Sequence, residues 1–241
     1  MGASVTVPVF PAAIGIVLAG GAARRMQPAR VAAATPTVRK EWVEIGGRTL
    51  LERVIAAVAP ETSRTLVVTV PGRPLPPLPG AVEIVHDSAP GAGPLAAVLD
   101  GLRTLGDATG DPPVFVASCD LPLLRRDVVR LVLACAEASG AVWTVPDIGG
   151  HPQVLCSVVR RTLAGRIAAW LATGRRDPRG LLAELRREDA ALVRVVGAEE
   201  IAAVDPLLES FRDVDTPAAC AEIIRQLPYG DRPGGTYTPP P

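Results

Sequence analysis

Three stretches of this sequence carry residue types suited to handling phosphate. Residues 18–26 read LAGGAARRM. Glycines directly after an apolar run let backbone N–H groups turn towards an anion, and Arg24 and Arg25 follow where guanidinium groups can clamp its oxygens. Residues 118–124, SCDLPLL, set Asp120 at the end of the apolar run PVFVA, in a turn containing Pro122. A carboxylate there is a natural ligand for Mg²⁺, which takes one or two carboxylates and completes its octahedron with water and phosphate. Residues 211–217, FRDVDTP, put Asp213 and Asp215 just ahead of an apolar run. Taken alone, D-T-P at that place reads first as a helix cap and only second as a metal ligand.

Lysine occurs once in the chain, at Lys40, against 24 arginines, and asparagine is absent. Arginine presents a wide planar fork, whereas an ammonium is a compact point charge on a flexible stem. A chain that uses arginine everywhere else would keep lysine where only a compact cation fits among crowded phosphate oxygens; the plainer alternative is a solvated residue that escaped the compositional bias. The glycine pattern at residues 18–26 is neither G-x-G-x-x-G nor G-x-x-x-x-G-K-[ST], which argues against a dinucleotide dehydrogenase and against a P-loop ATPase.

Such residues need a scaffold, and the rest of the chain supplies one. Ile14 to Ala19 is a short β-branched run closed by a Gly pair, the pattern of a buried parallel strand entering a loop. Comparable strand-like runs fall at residues 66–70, 81–85, 114–117, 141–145 and 192–196. Helix-like spacing of apolar residues falls at 50–58, 95–105, 128–138 and 163–171. This alternation predicts an α/β fold: a three-layer, Rossmann-like, mainly parallel sheet with helices on both faces. Ligands of such sheets bind outside the carboxyl ends of the strands, which is where the three phosphate-suited stretches lie. Residues 152–159 are expected to add a strand, at an edge or antiparallel.

One domain is expected over residues 14–227, with a flexible N-terminus at 1–13 and a disordered Pro/Gly-rich tail at 228–241. Residues 71–80, PGRPLPPLPG, hold five prolines and cannot continue a sheet. They read as a stiff surface connection, with a polyproline ligand as the alternative. The formal net charge is zero, so no global field holds a polyanion and nucleic-acid binding is not expected. The four cysteines, Cys119, Cys135, Cys156 and Cys220, show neither C-x-x-C nor zinc-ribbon spacing. Reduced thiols and a cytoplasmic location follow. Residues 4–23 are uncharged, yet Pro8, Pro11, Gly15, Gly20 and Gly21 interrupt them, so neither a membrane span nor a signal segment is expected.

Taken in order, these motifs resemble the molybdenum cofactor guanylyltransferases, within the wider molybdenum-cofactor-type nucleotidyltransferase group. LAGGAARRM is similar to that family's L-A-G-G-x-x-x-R-M, and KEWVEIGGRTLLERV, residues 40–54, to its lysine-containing K-x-x-x-x-x-x-G-x-x-L segment. HDSAPGAGPLAAV resembles its D-x-x-x-G-P-L stretch, SCDLP its metal-binding C-D-x-P, GGHPQ its approach to the pterin and DVDTP its closing N-x-N-T-P. The likeness runs from about residue 14 to residue 227. It departs in two places: thirteen residues, Gln27 to Arg39, separate R-M from Lys40, and Arg39 stands where the family has an aspartate.

The resemblance implies a fold of the nucleotidyltransferase type and transfer of GMP from GTP to the terminal phosphate of molybdopterin, with release of pyrophosphate and dependence on Mg²⁺. L-A-G-G rather than L-A-A-G favours GTP over CTP. The implied catalytic residues are Arg25, Lys40 and Asp120, with Asp120 on the metal. The implied binding residues are Leu18, Ala19, Gly20, Gly21, Arg25, Lys40, Asp87, Gly93, His151 and Asp215. His151 has a simple turn role as its alternative, and Arg175, Arg176 and Arg179 read as a solvated charge run that could also receive a phosphate. Other cofactor-biosynthesis proteins or molybdoenzymes are the implied partners. Alternative readings are a related transferase using CTP or another small phosphate acceptor, and a non-catalytic nucleotide-binding paralogue.

Overall fold

The structure, a computed structural model, describes residues 10, 12–21, 39–79, 81–106 and 110–226. At its centre lies a twisted sheet built from β1 (Ile14–Leu18), β4 (Arg64–Thr69), β5 (Val82–His86), β6 (Pro113–Ser118), β7 (Trp143–Ile148), β8 (His151–Pro152), β9 (Cys156–Arg160) and β10 (Val193–Gly197). The strand order is β10-β7-β9-β6-β1-β4-β5, with the two-residue β8 paired to β7. β1 runs parallel to β4 and β6, β4 to β5, and β10 to β7. β9 alone on this path runs against its neighbours β6 and β7. The carboxyl ends of the parallel strands therefore share one rim of the sheet.

Alternation at period two along the strands builds two separate cores. Val17, Val67, Phe115 and Val158 face one side, where α1 (Leu50–Val58), α3 (Arg126–Ser139) and α6 (Ala198–Ala202) cover them. Ile16, Leu18, Leu66, Val68 and Val116 face the other, against α2 (Pro94–Thr104), α4 (Leu163–Ala172) and α5 (Pro178–Glu188). In the central strands each residue buries its side chain against one helical layer, which is why they read as continuous apolar runs, whereas edge strand β5 is largely exposed. Local chemistry sets the helix ends. Thr49 and Glu52 form a reciprocal capping box at the start of α1, and Gly140 closes α3 with a φ of 64°.

A third and smaller core lies at the rim. Val43, Ile45, Leu50, Val214 and Ile223 cluster there, drawing together the hairpin of β2 (Glu44–Ile45) and β3 (Arg48–Thr49), the start of α1 and helix α7 (Pro217–Gln226). Apolar side chains from two stretches far apart in sequence thus fasten α7 beside the turn that follows Lys40.

The three-layer α/β architecture expected from the sequence is present, with two refinements. The strand expected at residues 152–159, at an edge or antiparallel, is split into β8 and β9, and β9 is antiparallel to both neighbours but lies inside the sheet rather than at its edge. Both faces of β9 are covered, as its buried Cys156, Val158 and Val159 require. The segment around Arg179, read as a charge run, opens the amphipathic helix α5, whose Leu181, Leu182 and Leu185 are buried. Of the start expected to be flexible, residues 10, 12 and 13 are described and Ala13 is buried in the core; the rest of it and the expected Pro/Gly tail lie outside the described residues, as does most of the segment from Gln27 to Arg39.

Candidate active site

At the β1 end of the rim the chain order reverses: β4 and β5 follow β1 on one side, and β6 lies on the other. Open α/β sheets bind ligands at such a switch point. Here Cys119 N donates to Leu18 O at 3.0 Å, binding the loop after β6 to the end of β1. A cavity of about 380 Å³ opens above this seam, lined among others by Gly20, Gly21, Lys40, Asp87, Gly93 and Asp120. Its size lies within the roughly 300–1,000 Å³ typical of small-molecule sites.

Lys40 begins a single 3₁₀ turn, Lys40–Trp42. Its ammonium donates to Asp120 Oδ2 at 2.8 Å and also to Asp215 Oδ1. Two constraints bring these residues together. Val214 N donates to Asp120 O at 2.9 Å, which lays the 213–215 segment beside the loop after β6. Val43 and Val214 share the rim core, so packing sets the distance between the lysine turn and Asp215. Burial acts to lower the pKa of Lys40, but the carboxylates of Asp120 and then Asp215 outweigh it and hold the ammonium above the ordinary lysine value. Asp213 is pushed the other way: burial, and then the charges of Asp215 and Asp120, raise its carboxyl above the ordinary aspartate value.

The opposite wall is built by the turn after β5. Asp87 is buried, its N–H donates to Thr69 O at 2.8 Å, and its Oδ1 accepts from Ala89 N at 2.9 Å. Gly93 caps α2 with a φ of 96°, a conformation that disfavours any side chain, and Pro94 follows at the first helical position. A Cβ on Gly93 would also meet Arg176 O at 3.6 Å, so the loop carrying Arg175 and Arg176 packs beside this wall.

Of the residues singled out in the sequence, Leu18, Gly20, Gly21, Lys40, Asp87, Gly93 and Asp120 line one cavity. Asp215 joins them through Lys40. Ala19 takes a different part: its N–H donates to Val68 O and its carbonyl accepts from Thr69 Oγ1, so its backbone is engaged with β4. Arg25 lies outside the described residues. His151 is exposed on the β7–β8 hairpin, at the same rim but outside the cavity lining. Arg175 stacks on Trp170, 4.5 Å from the ring centroid, and bonds Glu184.

The sequence reading passed over Glu41, which is 1 % exposed and lines the cavity. Its one signal was adjacency to the lone lysine. Cys119 also lines the cavity, but burial first, and then the charges of Asp120 and Glu41, push its thiol far above the ordinary cysteine value. It is a packed thiol and not a nucleophile. Among the described residues, no helix is long and apolar enough to cross a membrane.

Comparison with known proteins places this geometry in context. Residues 15–191 match the family model described as MobA-like NTP transferase domain. A probable molybdenum cofactor guanylyltransferase of Mycobacterium avium (strain 104) is 36% identical over 168 residues, covering 70% of this chain and 79% of that protein. Among solved structures, molybdopterin-guanine dinucleotide biosynthesis protein A from Archaeoglobus fulgidus superposes with a TM-score of 0.67 at 21% identity, covering 89% of this chain and 100% of that one. The 2-C-methyl-D-erythritol 4-phosphate cytidylyltransferase of Thermus thermophilus shares the fold, with a TM-score of 0.59 at 20% identity, over 86% of this chain and 95% of that one.

Proposed function

This chain belongs to the MobA-like NTP transferase family and is a nucleotidyltransferase of that type, and we propose that it transfers GMP from GTP to the terminal phosphate of molybdopterin, releasing pyrophosphate. One observation carries the reading: the glycine turn after β1, the ammonium of Lys40 and the carboxylate of Asp120 line a single cavity at the sheet's switch point. That combination suits a triphosphate and its counter-charges, and the named relatives direct the choice of base and acceptor.

The residues present fit a divalent cation. Asp120 and Asp215 each offer an oxygen to one ammonium, so the two carboxylates can face one small cation. Among the described residues no cluster of three or more His, Cys, Asp or Glu forms a closed metal cage. Mg²⁺ does not need one, because it is ordinarily held by one or two carboxylates together with substrate phosphates and water. Asp120, assisted by Asp215, would hold the ion, which when bound neutralises charge on the triphosphate.

The protein's own groups then have distinct tasks. Backbone N–H groups of Gly20 and Gly21 bind phosphate oxygens, with Leu18 and Ala19 fixing the turn on the sheet. Asp87 and Gly93 form the nucleoside wall. Arg25 is assigned to the phosphates from the sequence pattern, and His151 to the acceptor side from its place on the same rim. The attacking phosphate is already mostly ionised at neutral pH, its second pKa being about 6. No protein base is required, and neither histidine lines the cavity. As the new O–P bond forms at the α-phosphorus, the bond to the β-phosphate oxygen breaks and pyrophosphate departs. Lys40 stabilises the charge carried by the triphosphate in that transition state.

The experiment is incubation with Mg²⁺, molybdopterin with or without molybdate, and either GTP or CTP, followed by identification of the dinucleotide. Molybdopterin guanine dinucleotide and pyrophosphate are the expected products. A cytosine dinucleotide would move the chain to the CTP-using branch whose fold it shares, and nucleotide binding without pyrophosphate release would make it a non-catalytic paralogue.

A further inference from the structure

Residues 71–79 follow β4 as a proline-rich connection, and the structure ties it to the site by three contacts. Arg73 Nη1 donates to Gly21 O at 3.4 Å. Arg73 Nε stands 3.6 Å from Glu41 Oε1. Trp42 Nε1 donates to Pro74 O at 3.1 Å. The two residues after Lys40 thus meet two consecutive residues of the connection, and the same arginine reaches the glycine turn.

Glu41 makes this arrangement consequential. It is 1 % exposed, and among the described residues its Oε1 is buried without a hydrogen-bond partner. A carboxylate in that condition depends on a nearby cation, and among the described residues Arg73 supplies it. Burial raises its pKa above the ordinary glutamate value, while Arg73 and then Arg39 act to lower it. The connection itself is suited to holding a fixed position. Arg73 N closes a turn on Val70 O at 3.1 Å through Gly72, whose φ is 69°, and the prolines beyond limit backbone freedom.

We propose that Arg73 is a positioning residue for nucleotidyl transfer: it bridges buried Glu41 to the carbonyl of Gly21 and thereby fixes the Lys40 turn relative to the glycine turn. The proposal rests on the nucleotidyltransferase reading given above. The two turns are separated in sequence by residues 22–39, and a proline-rich strap anchored at the end of β4 reaches both of them through Arg73. Arginine suits the post because its fork can meet a carboxylate and a carbonyl at once, which an ammonium on a flexible stem does less well.

The test compares wild type, Arg73→Met, Arg73→Lys and the double variant Arg73→Met/Glu41→Gln, measuring melting temperature, calorimetric binding of MgGTP, and kcat and KM. Displacement of a phosphate-binding group by a fraction of an ångström to 1 Å is expected to lower kcat/KM by about ten- to a hundredfold. Arg73→Met is expected to fall in that range, with weaker MgGTP binding, and Arg73→Lys to recover only part of it. In the double variant no unpaired charge is buried, so the melting temperature is expected to return to that of wild type while nucleotide affinity stays low. Should Arg73→Met fail to fold, the double variant carries the test by itself. Wild-type affinity and kcat/KM in the double variant would overturn the proposal, since Arg73 would then only neutralise Glu41. A wild-type protein that binds neither MgGTP nor MgCTP would instead overturn the transferase reading, and the positioning role with it.

Discussion

The ammonium of Lys40 lies 2.8 Å from Asp120 Oδ2 across 80 positions of sequence, and the same nitrogen donates to Asp215, 175 positions away. One cation therefore gathers the loop after β6 and the approach to α7 around the end of β1. Under the proposed function, the two carboxylates that Lys40 bridges are the ones that would face a divalent ion.

Replacing Lys40 separates two roles. Lys40→Ala is expected to lower turnover about a hundredfold or more, the usual cost of deleting a preorganised donor to developing charge. With the ammonium gone, the two carboxylates repel each other and attract cations more strongly. Affinity for Mn²⁺ in the absence of nucleotide should therefore rise about tenfold, within the roughly 4 kcal/mol of one charge pair at 4 Å and an effective dielectric near 20. Calorimetry or Mn²⁺ electron paramagnetic resonance reads the second effect independently of turnover. An unchanged Mn²⁺ affinity would mean that the carboxylates do not form a cation site.

Asp120→Asn keeps the shape of the side chain while removing its charge. Turnover is expected to fall by about a hundredfold or more, with the required Mg²⁺ concentration shifted upwards. Stopped-flow release of pyrophosphate at increasing Mg²⁺ checks it, and normal turnover at ordinary Mg²⁺ would reassign the metal ligand.

Asp213 stands in a neighbourhood that disfavours its ionised form. Because its folded pKa is raised, ionisation at neutral pH destabilises the native state, and a neutral amide should relieve that. Asp213 is an exposed residue, so solvent screens much of this effect, and Asp213→Asn is expected to raise the melting temperature only slightly. Differential scanning calorimetry decides it; a fall in melting temperature would show that Asp213 gains more from its contacts than it loses to its neighbours.

Far from the site, Glu61 is 1 % exposed and receives Arg130 Nη2 at 2.8 Å as well as Arg126 Nε. Burial acts to raise its pKa, but the hydrogen bonds and charges of Arg130 and Arg126 outweigh it and hold the carboxyl below the ordinary value of 4.5. A depressed carboxylate gives stability that is present above the unfolded value and is lost as pH falls through the folded one. Wild type should therefore lose stability below about pH 4.5 more steeply than Glu61→Gln. Parallel acid-unfolding curves for the two proteins would show that the pair contributes nothing.

Much of this protein is legible in its amino-acid sequence. Alternating apolar runs gave the three-layer sheet because each run must bury one face at a period that its local geometry dictates. Glycines and an aspartate after apolar runs marked the rim, since strand ends are where backbone and side chains escape the ladder. The reading of Arg175 to Arg179 as a charge run missed α5, because exposed arginines at its start hid the leucines that follow. Residues 152–159 were expected at an edge or antiparallel, and the main strand there is antiparallel but interior, because no single stretch records which strands will flank it.

The sequence by itself determined the elements, the order of the phosphate-suited motifs and the singular use of lysine, all of which rest on local periodicity and on the chemistry of individual side chains. Only the tertiary structure decided that Lys40, Asp120 and Asp215 meet, that Glu41 is buried beside them and that Arg73 reaches both turns. Convergence of that kind follows from a rim core of Val43, Ile45, Leu50, Val214 and Ile223. Long-range packing chooses the partners of each turn, and the spacing of residues along the chain carries no record of that choice.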